Sequence, residues 1–123
     1  MIQWLRSGVI LLGLAGCVNH QPGPVTTENP AEVAIMVESN NSATIVVYLE
    51  ARGNSRRLGE IHTKETLSWV FAYREFGIGY TRLRGEVIGS DERIYTPDLK
   101  VEPGQVVRWS LAPRLVQSSV TQF

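Results

Sequence analysis

The chain has 123 residues, with 12 Lys and Arg against 12 Asp and Glu, two His, one Cys and a hydrophobic fraction of 43%. That length accommodates one domain, and the balanced charge excludes the basic face of a general nucleic-acid binder. One cysteine excludes an internal disulfide and, with only two histidines, a Cys/His zinc site.

Residues 1–17 read MIQWLRSGVILLGLAGC. One positive charge at Arg6, an uncharged run Gly8–Leu14 and the small residues Ala15-Gly16 before Cys17 are the three parts of a secretory signal. The run is shorter than the ~20 residues that span a bilayer, so it is not expected to persist as an anchor helix. Leu14-Ala15-Gly16-Cys17 resembles the bacterial lipobox. The resemblance implies cleavage between Gly16 and Cys17, a diacylglyceryl group on the Cys17 thiol and acylation, by palmitate for example, of the new amino terminus. Several acyl chains, at ~0.8 kcal/mol per buried methylene, hold a protein to a membrane far better than one. Val18 follows the cysteine in place of the Asp that marks inner-membrane retention in such proteins, which points to the outer membrane. Without a polybasic patch, the lipid is the membrane contact.

The expected division is therefore a signal peptide over 1–16, a lipidated cysteine with a Pro-rich tether over 17–31, and a domain over 32–123. The tether holds Pro22, Gly23, Pro24 and Pro30 with no apolar periodicity. Proline fixes its own backbone angle and lacks a donor, so the stretch reads as an extended, solvated spacer, His20 included.

From Glu32 onward the periodicity is that of strands. Val33, Ile35 and Val37 alternate with Ala34, Met36 and Glu38. Asn40-Asn41-Ser42 supplies a turn; it matches a glycosylation sequon, but turn chemistry is the expected role. Ile45, Val47 and Leu49 share one face of the run Ala43–Glu50, the most β-branched in the chain. Gly53-Asn54-Ser55 breaks it before a strand near Arg56–Ile61, with Leu58 inward. Leu67, Trp69 and Phe71 share a face of Thr66–Ala72, and Tyr73–Tyr80 follows as a looser segment. Leu83 and Val87 point inward opposite Arg82, Arg84 and Glu86. After a turn at Ser90-Asp91-Glu92 come Ile94-Tyr95, Leu99-Lys100-Val101, a turn at Glu102-Pro103-Gly104, and a last strand Gln105–Ala112 with Val107, Trp109 and Leu111 inward.

About seven short strands, turn signals every ~8–14 residues and no amphipathic helix predict an all-β fold, an antiparallel β-sandwich, immunoglobulin-like, whose core rests on packing alone. The segments N-N-S-A-T-I-V-V-Y-L, R-L-G-E-I and V-E-P-G-Q-V-V-R-W-S-L resemble those of small bacterial lipoproteins with an immunoglobulin-like β-sandwich. That likeness spans most of residues 33–112 and implies a fold; the group has no assigned catalytic residues.

Glu60, His62 and Glu65 lie close in sequence, and positions 60 and 62 share a strand face. A metal site needs three or four converging ligands, so a solvated strand end is expected and no metal. No Gly-x-Ser-x-Gly elbow marks a nucleophile. Gly77-Ile78-Gly79 lacks the Lys-Ser/Thr of a phosphate loop, and no cofactor is implied. Arg56, Arg57, Arg74, Arg82 and Arg84 are interleaved with Glu60, Glu75 and Glu86, which predicts a mixed-charge face. Trp69 and Trp109 fit the core, whereas Tyr48 and Tyr80 are freer.

The expectation is a lipid-anchored, non-enzymatic envelope module contacting the membrane through Cys17 and an envelope protein through Tyr73, Phe76, Gly77, Gly79 and Tyr80. The alternative is a carbohydrate- or peptidoglycan-binding module that uses exposed aromatics. It predicts at least two of Tyr48, Tyr73, Phe76 and Tyr80 exposed on one surface.

Overall fold

The computed structural model describes residues 30–76 and 79–123. The leader, Gly16, Cys17, most of the tether and Gly77 lie outside the described residues. Eight strands are formed: β1 Glu32–Ser39, β2 Ile45–Ala51, β3 Asn54–Ile61, β4 Thr66–Ala72, β5 Arg82–Val87, β6 Arg93–Tyr95, β7 Val106–Leu111 and β8 Ser119–Gln122. Among the described residues two 3-10 turns, Tyr73–Glu75 and Leu115–Gln117, join them. Among the described residues no helix is long and apolar enough to cross a membrane.

The strands make a β-sandwich of two four-stranded sheets, ordered β4-β1-β7-β8 and β3-β2-β5-β6. All neighbours are antiparallel except β1 and β7, which run parallel from Ala34 opposite Val106 to Ser39 opposite Leu111. A parallel pair needs a long crossover. Here the chain between them supplies it by building the whole second sheet.

Period-two alternation sets the core. Val33, Ile35, Val37, Phe71, Val107, Trp109 and Leu111 from one sheet meet Ile45, Val47, Leu49, Ile61 and Leu83 from the other, all buried. Trp109 is 1% exposed and reaches the facing sheet at Gly85. A Cβ on Gly85 would stand 3.3 Å from Trp109 Cη2, 3.2 Å from Ile94 Cγ2 and 3.0 Å from Ile45 Cγ2. The missing side chain is therefore the socket for the indole. Trp69 is half-buried, less enclosed than its periodicity predicts, because β4 is an edge strand. Its Cζ2 lies beside Gly59, where the β2–β3 register slips and leaves Leu58 as the extra, core-packed residue of a bulge.

Three local details differ from expectation. The β2–β3 turn centres on Arg52 and Gly53, with φ of 56° and 75°, so Asn54 and Ser55 already belong to β3. Two consecutive positive φ values match the twist of a two-residue hairpin. Leu99 and Val101 are buried but form no strand beyond a single bridge from Leu99 to Thr81. β8, with Val120 as its one apolar residue, is an additional strand and brings the count to eight.

The loop after β1 is stapled by Asn41, whose Nδ2 donates to the carbonyls of Ala112 and Pro113 at 3.1 and 3.0 Å and whose Oδ1 accepts from Ala43 N at 2.9 Å. The expected Asn turn thus also ties the β1–β2 loop to the β7–β8 loop, at the same end of the parallel pair.

Gly85→Ala is expected to destabilise the domain by about 1–3 kcal/mol, the range for overpacking a filled core. In denaturant unfolding, adding Trp109→Phe to Gly85→Ala should cost less than the two changes separately, since the shorter ring withdraws from the new methyl.

Candidate functional site

The outer face of the second sheet carries the densest polar arrangement. On β2, Tyr48 and Glu50 point outward; on β5, Arg82, Arg84 and Glu86; on β6, Arg93 and Tyr95. Register places Glu50 opposite Arg82, Tyr48 opposite Arg84, and Arg84 and Glu86 opposite Tyr95 and Arg93. Glu50 accepts from Arg82 Nε at 2.6 Å and from Arg84 Nη1. Arg84 Nε is buried 3.1 Å from Glu86 Oε2, an ion-pair contact too poorly aligned for a hydrogen bond, and Arg93 stands 3.6 Å from the same oxygen. The result is one line of alternating charge from Arg82 to Arg93. Arg84 lies over the Tyr48 ring and Arg82 over the Tyr95 ring, each 4.1 Å from the centroid.

This line ends at a hollow. An open cleft of about 320 Å³ lies beside the β2–β3 turn, its polar wall made by Glu50, Asn54, Tyr80, Arg82 and Asp98. Across the turn a second hollow of about 440 Å³ is lined by Arg52, Asn54, Arg56 and Glu75. Arg56 Nη1 donates to Glu75 Oε1 at 2.6 Å, and Arg52 Nη1 donates to the Arg74 carbonyl at 3.2 Å. The hairpin tip is thereby fixed to the segment that follows β4.

Glu50 and Glu75 are held ionised. The Arg82 hydrogen bond keeps Glu50 below its ordinary value of 4.5, against the opposing effect of burial. Arg56 does the same for Glu75, and on the other sheet Ser110, then Arg108, for Glu38. A carboxylate locked to guanidinium groups is a poor proton acceptor near neutrality. The cleft is built for polar contact through Asn54, Asp98 and the Tyr80 phenol.

The segment expected to touch a partner divides. Tyr80 is 67% exposed and lines the cleft. Phe76 is 2% exposed and packs edge-on against Phe71, ring centroids 6.0 Å apart. Tyr73 is half-buried against the core. Both rings anchor the segment rather than present it. Gly79, at φ 113°, has open space around it. Tyr48 is half-buried beneath Arg84. Tyr80 is thus the one exposed ring of the four from which a stacking platform was expected.

Glu60, His62 and Glu65 do not converge. Glu60 pairs with Arg57 at 2.9 Å, and Glu65 accepts the backbone N–H of His62 at 2.7 Å. His62 Nδ1 lies 3.0 Å from Thr44 Oγ1. Glu65 serves the turn and not the imidazole, so the pair has no orienting carboxylate. Among the described residues no group of three or more His, Cys, Asp or Glu is placed to hold a metal. Sequence reasoning missed Asn54, Asp98 and the second role of Glu50. The even spacing of Arg82, Arg84 and Glu86 was the available signal; their partners depend on register.

Glu50→Gln is expected to cost about 1–3 kcal/mol at pH 7, because two guanidinium groups lose a charged acceptor. A lowered folded-state value means that the stabilisation is complete above about 4.5 and is lost as pH falls through the lowered value. Unfolding measured from pH 7 to 3 should therefore show a shallower acid slope in the variant than in the parent. No protein-family model and no curated protein matches the chain.

Proposed function

We propose that this is a lipid-anchored bacterial envelope protein whose β-sandwich is a non-enzymatic structural, assembly or protein-binding module. The observation that carries the anchor is the placement of the single cysteine directly after Leu14-Ala15-Gly16 at the end of an apolar run. Val18 after that cysteine favours the outer membrane. A binding role is supported by the cleft at the hairpin tip, where charge is locked into ion pairs and Tyr80, Asn54 and Asp98 face solvent. A second reading, a carbohydrate- or peptidoglycan-binding module, rests on the Tyr80 ring alone, because the second exposed ring that it calls for among Tyr48, Tyr73 and Phe76 is not found.

Cys17→Ser is expected to abolish incorporation of labelled palmitate and to release the chain from the membrane fraction; continued labelling overturns the anchor. Tyr80→Ala separates the two binding readings. A stacking site for sugar should lose about tenfold in affinity for isolated peptidoglycan. A protein-binding module should show no peptidoglycan retention to lose.

A further inference from the structure

Four strands end the two sheets: β4 and β8 in one, β3 and β6 in the other. An edge exposes unpaired backbone groups, and folded proteins blunt it with charge, proline, bulges or brevity. β3 carries Arg56, Arg57, Glu60 and the Leu58 bulge. β6 has three residues, Arg93 among them, and β8 has four. β4 has none of these devices. Its seven residues, Thr66-Leu67-Ser68-Trp69-Val70-Phe71-Ala72, contain no charge and no proline, and their pairing with β1 is unbroken.

Register shows which groups are free. Ser39 N donates to Glu65 O at 2.9 Å and Tyr73 N to Ala31 O at 2.6 Å, at the two ends of the β1–β4 ladder. Antiparallel alternation then turns the N–H and C=O groups of Leu67, Trp69 and Phe71 toward β1 and those of Thr66, Ser68, Val70 and Ala72 outward. Glu75 Oε2 accepts from Ala72 N at 3.2 Å. Among the described residues nothing pairs with the outward backbone groups of Thr66, Ser68 and Val70. Val70 is 51% exposed and Ser68 is exposed, while Leu67 and Trp69 stay half-buried because the sheet stops beside them.

We infer that β4 pairs antiparallel with β4 of a second copy of this chain, about a two-fold axis at Ser68. That register sets Ser68 opposite Ser68 and Thr66 opposite Val70, so the free groups of all three are used. It also sets Leu67 of one copy against Trp69 of the other on the core side, an apolar cross-strand pair that covers both. A charge-free strand meets itself without like-charge contact, and cleavage after Gly16 removes only Arg6 from a chain with 12 basic and 12 acidic residues, so the formal charge of −1 leaves little long-range repulsion between copies. The interface is self-complementary, as a two-fold dimer requires. Two four-stranded sheets become one of eight strands.

The inference names the partner for the assembly module proposed above, and its readouts are independent of lipid. The full chain with Cys17→Ser and Ser68→Cys, purified in non-ionic detergent and oxidised, should form a disulfide-linked dimer. Hydrogen-bonded antiparallel pairs stand ~5.5 Å apart at Cα, within disulfide reach. Chains with Cys17→Ser alone, or with Cys17→Ser and Ser119→Cys on the opposite edge, should not. Ser68→Lys and Ser68→Glu, each with unchanged circular dichroism, should sediment as monomers, at least about tenfold weaker in association, and their equimolar mixture as a dimer. A monomeric parent chain, a Ser68→Lys chain that still dimerises, or Ser68→Cys crosslinking only to other proteins overturns the pairing. Palmitate label on the parent, Ser68→Lys and Ser68→Glu chains, which keep Cys17, reports the anchor separately, so loss of one reading is distinguishable from loss of the other.

Discussion

Two sheets face each other here without a covalent pin, and the contact between Trp109 and Gly85 takes its place. The indole comes from β7, an inner strand of one sheet, and fills a notch that β5 leaves open in the other by having no side chain at Gly85. Ile45 and Ile94 close the sides of that notch. Interiors pack at crystal-like density, so a site shaped around one ring specifies both the spacing of the layers and their lateral register. The ion-pair line on the outer face depends on it, since Arg84 and Glu86 flank Gly85 on β5 and point away from the core because Gly85 points into it.

The two outer faces then diverge. The second sheet is covered by a continuous line of arginine, glutamate and tyrosine running toward the β2–β3 hairpin, and its polar groups are mostly committed to one another. The first sheet has one such unit, Glu38 with Arg108 and Ser110, and beyond it the surface runs to Val70 and the uncharged β4 edge. The cleft at the hairpin tip and the uncharged β4 edge thus belong to different sheets.

Five of the strands, β1, β2, β4, β5 and β7, were legible in alternation alone, because each buries one face and the β-branched residues mark it. β8 was not: Ser119, Thr121 and Gln122 are polar, and a four-residue edge strand buries too little to leave a pattern. Gly85 carried no sign of its role, since the pattern records side chains and its contribution is the lack of one. Phe76 and Tyr73 looked like contact residues because their segment is long, aromatic and contains Gly77 and Gly79, yet the 3-10 turn at Tyr73–Glu75 swings both rings back onto the core. The partners of Arg82, Arg84 and Glu50 required register between strands more than thirty positions apart.

The parallel alignment of β1 with β7 bears on the order in which the chain can fold. β1 lies between β4 and β7, so half of its hydrogen-bonding capacity waits for a segment 72 positions further along, the separation of Glu38 and Ser110. Contacts so distant in sequence form slowly, because the loop between them must close before they contribute anything. A polypeptide emerging amino-terminus first would keep β1 half-satisfied until β7 had appeared.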